Sequence, residues 1–540
     1  MIVKSNNMMD KYLMHNDKNK YDGIFRKRKH YYKSHLADTR DDISRRVVED
    51  SVNWVQVSSE CTDCYVIGDS VNWGQVSSDC TDWDVIWLDT SISDDRFRKL
   101  KKFQKINHFL GMKGITRKDE LCKNLKKMKK NFPQSYNFFP PTWDLPNEIS
   151  DFKIYFKKKK NKNGSKTTYI VKLKNSCQGK GIYLTKSLDN INKYESCVIQ
   201  KYIHKPLLIN DLKFDIRLYV LVTGCDPLRI FLHEDGLVRF SIEKYKLPKS
   251  KNLKQVNMHL TNFSINKKSD KFENSLNPDD ATRGHKRSWK AFLQKLKEEG
   301  LPMDSLMKKI EHMIVKTICS IQPELKHYYN SSHISDYSNS MCFEVLGFDI
   351  LLDYKLKPWL LEVNHSPSFS TCSLVDEKVK YAVIRDTLNI LYMHSKYRYM
   401  FIQEYLNLQK FRTKYNDLLE KHKKELKEKL NISRFLYENK NLGGYKRIYP
   451  LEELLDYENL ILFVSNAWNK SIGIPYSMKR DSYEYLFKEN VKRKNKTKEK
   501  LSILDLPTTE EQLYMVENGH CSKFYSTMEN INISNCSTAC

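Results

Sequence analysis

Residues 346–369 read LGFDILLDYKLKPWLLEVNHSPSF, two apolar runs of strand-forming residues on either side of a Lys-Leu-Lys-Pro break. A hairpin turning at Lys355 and Leu356 sets Asp349 opposite Glu362. Side chains alternate along a strand, so Asp349 and Asp353 share a face with Glu362 and Asn364, while Ile350, Leu352, Leu361 and Val363 point the other way. Facing carboxylates repel unless a cation lies between them. Two carboxylates and an amide oxygen are hard ligands of the kind Mg²⁺ takes, its remaining positions being shared by water and nucleotide phosphates. The competing reading is a strand with one solvated acidic face, but strands this apolar are usually buried on at least one side.

Further upstream, KNSCQGKGIYL sits between two strand-like runs, so Gly179 and Gly181 can cap a hairpin whose N–H groups lie over phosphates. This is not a Walker A loop: Gly181, not Ser or Thr, follows Lys180, and no helix pattern opens there. An ordinary glycine turn gives the same letters. Lys172, on the strand entering the loop, is placed to reach phosphates. In KFDIRLYVLV, Lys213, Asp215 and Arg217 fall on one face and Phe214, Ile216 and Leu218 on the other. Two cations around a carboxylate suit a site for anionic reactants, although the same row can line a solvent face.

The whole chain has 540 residues, and 92 Lys+Arg against 66 Asp+Glu give a net charge of +26, which points to an acidic partner. Its 40% hydrophobic and 12% aromatic content suffices for a sizeable core. No run approaches the roughly 18–20 apolar residues of a membrane helix, and the first twenty residues lack an apolar signal core, so the expectation is a soluble, unsecreted protein. The 13 cysteines are odd in number and scattered, which predicts free thiols; Cys61 and Cys64 form a lone CxxC with no second pair to complete a zinc site. No nucleic-acid recognition motif accompanies the basic charge.

SVNWVQVSSECTD at 51–63 returns as SVNWGQVSSDCTD at 70–82, a local duplication with too few copies for a solenoid. The lysine run at 157–160 reads as a solvated loop. Runs such as TYIVKL, CVIQKYI, FDIRLYVLV and RIFLHEDGLVRF predict a sheet with hairpins between Tyr169 and Ser241, and helical patterning covers roughly 288–325. Leu408, Phe411, Tyr415, Leu419, His422, Leu426 and Leu430 fall at helical spacing amid KHKKELKEKL, which predicts an amphipathic basic helix with a solvated face. A second basic cluster ends at Lys500.

Taken in order, Lys172, QGKGI, VIQKYI, KFDIR, MHLTN, FDILLD and LEVNHSPSF resemble the ATP-grasp catalytic core of the tubulin tyrosine ligase-like family, closest to its tubulin polyglutamylases. The likeness runs from about Trp83 to about Leu391 and includes KINHFLGMKGITRKDE and FFPPTW. It departs from the family pattern at Leu173, where that pattern has Pro, and at the duplication. The resemblance implies an α+β fold: an ATP-grasp core of N-terminal, central and C-terminal lobes followed by a basic helical microtubule-binding region. The corresponding segments are a basic disordered arm (1–48), the N-terminal lobe with the duplicated segment at 51–82 (49–165), the central lobe (166–245) and the C-terminal lobe with the metal site (246–400). A cationic microtubule-binding region (401–475), which includes GGYKRIYP ending at Pro450, and a basic, then Ser/Asn-rich, disordered tail (476–540) complete the chain.

By the same resemblance, Lys172 and Lys201 contact ATP, Gln200, Lys201, Tyr202 and Ile203 border the adenine, and Gln178, Gly179, Lys180 and Gly181 cover the phosphates. Asp349, Glu362 and Asn364 match Mg²⁺ ligands. Lys213, Asp215, Arg217, Arg239 and Asn262 match positions that bind nucleotide or reacting carboxylates, and Lys118 matches a lysine near the phosphates. His365 matches glutamylases that extend side chains. The implied activity is an ATP- and Mg²⁺-dependent ligase that adds free L-glutamate to glutamates of tubulin tails through an acyl phosphate. It would act as a monomer in the cytoplasm and cytoskeleton, including cilium, flagellum or basal body. The alternatives are a glycine or tyrosine ligase of the same family, or a non-catalytic microtubule-binding protein.

Overall fold

A computed structural model describes residues 83–160, 167–391 except 175, 177, 178, 276, 335 and 337, then 416–450 and 455–473, together with the backbone of four short strands before residue 76. The described residues form a mixed helix and sheet structure with three sheets.

The first sheet contains β1 (His30–Ser34), β2 (Asn53–Gln56), β3 (Tyr65–Gly68), β4 (Trp73–Gln75), β5 (Val85–Trp87) and β6 (Lys105–Ile106), in the order β2-β3-β4-β1-β5-β6. The duplication is visible in it: β2 and β4 belong to the two copies, both run antiparallel to β3, and the equivalent residues Gln56 and Gln75 both sit opposite Tyr65. Within the expected arm, His30–Ser34 pairs in parallel with β4 and β5. Cys61 and Cys64 lie outside the described residues, as do 392–415 and 474–540.

An antiparallel second sheet is built from β7 (Thr142–Leu145), β8 (Tyr169–Leu173), β9 (Tyr183–Thr185) and β10 (Cys197–Lys201), in the order β7-β10-β8-β9. Alternation sorts its two faces. Tyr169, Val171, Cys197 and Ile199 pack with Phe152 of the helix Ile149–Lys160, whereas Ile170 packs with Tyr202 and Leu260 in a separate cluster. The lysine run 157–160, expected as a loop, is the last turn of that helix. The apolar spacing of Ile149, Phe152 and Phe156 carries the helix into it, and lysines are favourable at a helix C-terminus, where the macrodipole is negative.

The third sheet comprises β11 (Leu208–Ile209), β12 (Leu212–Cys225), β13 (Leu228–Phe240), β14 (Lys286–Ser288), β15 (Glu344–Leu352), β16 (Pro358–Asn364) and β17 (Tyr445–Tyr449). Its main order is β14-β13-β12-β15-β16, with β11 beside β12 and β17 beside β13. Tyr219, Leu221, Phe231 and Val345 pack against Val379, Val383 and Ile384 of the helix Leu374–Ile390. Each such fully buried side chain contributes about 1.5–3 kcal/mol, which fixes the sheet that carries the site. The helical patterning from 288 resolves into Trp289–Glu298, Met303–Cys319 and Gln322–Ser332, the first capped by Ser288 Oγ accepting from the Ala291 N–H.

The basic helix is described over Asn416–Lys440. One stripe of its C-terminal half is buried while Ile432, Phe435 and Leu436 stay exposed: Leu430, Arg434 and Glu438 are spaced one turn apart, and Arg229, Arg434 and Arg447 converge on Glu438 at 2.9–3.0 Å. Among the described residues no helix is long and apolar enough to cross a membrane, and Cys122, Cys197, Cys225, Cys319, Cys342 and Cys372 are free thiols.

Candidate active site

β13, β12, β15 and β16 lie side by side, and their registers bring charged residues into one row: Arg239 opposite Asp215, Arg217 opposite Asp349, and Asp349 opposite Glu362. The facing of Asp349 and Glu362 read from the hairpin is therefore present, and Leu356 takes the left-handed turn position (φ 58°). Arg239 grips Asp215 through bonds of 2.9 and 2.6 Å and reaches Asp349 at 2.8 Å. Arg217 clamps Asp349 from the other side, Nη2 to Oδ2 at 2.8 Å and Nε on Oδ1. Burial alone would raise the Asp349 pKa, but the two guanidiniums outweigh it and hold the carboxyl well below its ordinary range.

Gly347 makes room for this clamp. A β-carbon there would stand 2.9 Å from Arg217 Cδ, so glycine lets the arginine cross the strand. Asn364, opposite Gly347, donates its Nδ2 to the Gly347 carbonyl at 3.2 Å, which leaves the amide oxygen available as a ligand. Asp353 does not join the acidic face as alternation predicted. A register irregularity after Asp349 intervenes, and its carboxylate closes the turn by accepting from Lys355 N, Lys357 N and Trp359 Nε1.

Lysines from three elements surround this row: Lys172 of the second sheet, Lys118 of the helix Lys118–Asn131 and Lys213 of β12 itself. Lys172, buried on β8, donates to Gln200 Oε1 at 3.1 Å, and Gln200 in turn donates to Thr142 Oγ1. Burial lowers the Lys172 pKa, and the negative charge of Glu362 partly offsets the effect. Lys118, Lys172, Gln200 and Glu362 line one cleft, and Lys118 Nζ donates to the Ser176 carbonyl at 2.7 Å beside the glycine loop. Lys213 is buried, donating to the His259 carbonyl at 2.6 Å and the Tyr202 hydroxyl at 3.1 Å; burial pushes its pKa down to about 7. Lys201 and Ile203, half-buried, flank Tyr202, and the Lys201 N–H bonds Pro141 O.

Gly179 and Gly181 have φ of 78° and 69°, the left-handed region that glycine enters at no steric cost. A β-carbon at Gly179 would stand 2.7 Å from Ile265 and 3.2 Å from Asn262, so the loop rests on Ile265 and on Asn262, the residue preceding the short helix Phe263–Asn266. Lys180 is exposed, and Gln178 lies outside the described residues.

His365 turns away from the row: its Nδ1 lies 3.5 Å from Glu344 Oε1, and its ring lies 4.8 Å from that of His108. Sequence reasoning missed Glu344 and His108. The available signal was a second carboxylate, at the head of the mostly apolar strand EVLGFDILL, which folding buries completely. It missed Gly347 for want of any local cue.

The sequence pattern of the Tubulin-tyrosine ligase family matches residues 97–398. The chain is 44% identical over 374 residues to a probable beta-tubulin polyglutamylase of Tetrahymena thermophila, covering 68% of this chain and 31% of that protein. It is 42% identical over 392 residues to tubulin polyglutamylase ttll6 of Danio rerio, covering 72% and 49%, and 43% identical over 375 residues to tubulin polyglutamylase TTLL13 of Homo sapiens, covering 68% and 45%. The matched region thus spans about a third to a half of these curated relatives.

Proposed function

The chain belongs to the tubulin-tyrosine ligase family, and on that premise we propose that it is an ATP- and Mg²⁺-dependent polyglutamylase, joining free L-glutamate to glutamates of tubulin tails. The observation that carries this reading is the row Arg239, Asp215, Arg217, Asp349 and Glu362, continued along β12 by Lys213 and met by Lys172, which lines a cleft with Glu362. Amide formation from a carboxylate needs a leaving group, because oxide is not expelled at neutral pH. Phosphorylation of the acceptor carboxylate by ATP supplies it, and the amine of glutamate then displaces phosphate. Every reactant but the amine is anionic, so the site must offer fixed positive charge, and positioning with charge stabilisation carries most of the rate.

Lys172 and Lys213 would hold phosphates, with the Gly179–Gly181 loop above them and Gln200–Ile203 beside the base. Arg217 and Arg239, anchored by Asp349 and Asp215, present fixed guanidiniums to a carboxylate, and Lys118 and Asn262 close the phosphate end. The donor set fits Mg²⁺: Glu362 and the amide oxygen of Asn364 supply hard oxygens beside Asp349, and bound metal would neutralise phosphate charge. In this reading the third sheet draws strands from both the central segment (β11, β12 and β13) and the C-terminal segment (β14, β15 and β16).

The acidic tails of microtubules suit a +26 chain. The basic residues of 401–475, including the exposed Lys446 on β17, are proposed to meet the lattice, with the protein acting as a monomer on the cytoskeleton, cilia included. Labelled glutamate, glycine and tyrosine, each offered with Mg-ATP and microtubules, test the reading. Glutamate alone should be incorporated; glycine or tyrosine in its place selects another ligase of the family, and lattice binding without ligation selects a non-catalytic role.

A further inference from the structure

His108, Glu344 and His365 come together from three distant parts of the chain, and their donor atoms all lie within 4.8 Å of one another. His108 Nδ1 and His365 Nδ1 stand 3.6 and 3.5 Å from the same carboxylate oxygen, Glu344 Oε1. Two of the three side chains are almost wholly enclosed, His108 at 2% and Glu344 at 1% exposure, and among the described residues His108 Nδ1 and Glu344 Oε1 find no partner in hydrogen-bond geometry. Buried polar atoms are normally satisfied, so a facing pair of this kind calls for a cation.

The surroundings say which. His108 Nε2 lies 2.8 Å from the Leu88 carbonyl, which can only accept, so the ring proton belongs on Nε2 and the Nδ1 lone pair points at Glu344. Glu344 Oε2 accepts from the Phe109 N–H at 2.9 Å, which leaves Oε1 for the cluster. A ligating histidine characteristically donates its other N–H to a backbone carbonyl, and a ligating carboxylate is itself hydrogen-bonded. Both conditions hold here.

We infer that His108, Glu344 and His365 form a binding site for a transition-metal dication of the zinc class. A tetrahedral zinc ion with bonds near 2.0–2.1 Å sets its ligands about 3.3 Å apart, close to both imidazole–carboxylate separations. The third separation closes by a swing of His365, which is about one-third exposed and otherwise bonded only weakly to Ser366 at 3.4 Å. The fourth position is left to water on that exposed side. Imidazole nitrogens distinguish this site from the oxygen set at Asp349, Glu362 and Asn364, because Mg²⁺ prefers oxygen ligands. The site does not depend on which amino acid the enzyme ligates.

Cobalt(II) titration of the full-length protein tests this. One equivalent should bind with the visible absorption of a four-coordinate ion and no thiolate charge-transfer band, Zn²⁺ should displace it and millimolar Mg²⁺ should not. Zn²⁺ should also raise the melting temperature. His365→Ala, which changes a partly exposed residue and leaves the buried pair in place, should lower the stoichiometry by one and abolish the visible band, as should Glu344→Gln. Absence of the band in the wild type, or its survival in a folded His365→Ala protein, overturns the assignment and leaves His108 and Glu344 as a buried ion pair.

Discussion

Two arginine networks sit in the third sheet region, and they do different work. At the candidate active site, two arginines alternate with two aspartates across β13, β12 and β15. Against the lowering effect of burial, Asp215 and Asp349 hold Arg239 well above its ordinary pKa. At the base of the helix Asn416–Lys440, three arginines share the single Glu438; burial pushes Arg229 down to about 10, while the arginines pull Glu438 to about 2. Charge is balanced in the first network and in surplus in the second. The second is also the more enclosed, its arginines 3–7% exposed against 12–13% in the first. Strong electrostatic perturbation therefore does not by itself mark chemistry; what sets the first network apart is its greater exposure and its place beside Glu362, which lines a cleft with Lys172.

The sharpest break in this comparison is Glu438→Ala. Removing the acid that, among the described residues, alone pairs with these three buried arginines should destabilise the protein by about 3–5 kcal/mol, the usual cost of uncompensated buried charge. Chemical denaturation measures it, and a loss below about 1 kcal/mol would make the cluster incidental. If the helix were merely a solvated lattice-binding arm, the variant would keep its stability and bind microtubules at least as well as the wild type.

Lys172→Ala should act on the other network. A charge-assisted contact to phosphate is worth enough that kcat/KM for ATP should fall about 10- to 100-fold. Lys180→Ala, on the exposed loop, should have the smaller effect, and ATP titrations giving the reverse order would move the phosphates away from β8.

A subtler effect concerns protons. Lys213 has a pKa near 7 in the free protein, and phosphate beside it favours the charged form. ATP binding at pH 8 should therefore take up part of a proton, at most about one, and affinity should be full below pH 7 and fall as pH rises above it. Calorimetry in two buffers of different ionisation enthalpy measures the uptake; none at pH 8 would detach Lys213 from the nucleotide.

The hairpin carrying Asp349 and Glu362 was legible because a turn and period-2 alternation are local properties. Asp353 escaped that logic through one register irregularity, which no pattern of letters announces. The Lys157–Lys160 run was misread because charge suggests solvent, whereas the apolar spacing before it had already committed the backbone to a helix. Residue types at Lys213, Asp215 and Arg217 pointed to an anion site, but the Arg239–Asp215 pairing needed the β12–β13 register. Glu344 meets His108 across 236 residues of chain and Glu438 meets Arg229 across 209, and only tertiary packing creates such pairs.

The proposed ligase activity requires Glu362 to serve chemistry and not folding, and one paired measurement addresses it. Wild type and Glu362→Gln, which removes one anionic ligand at nearly constant volume, are compared for transfer of labelled glutamate to microtubules and for thermal melting. The account predicts glutamate transfer by the wild type, a loss of about 100-fold or more in the variant, and superimposable melting curves. Near-normal transfer by a variant that melts like the wild type would contradict it.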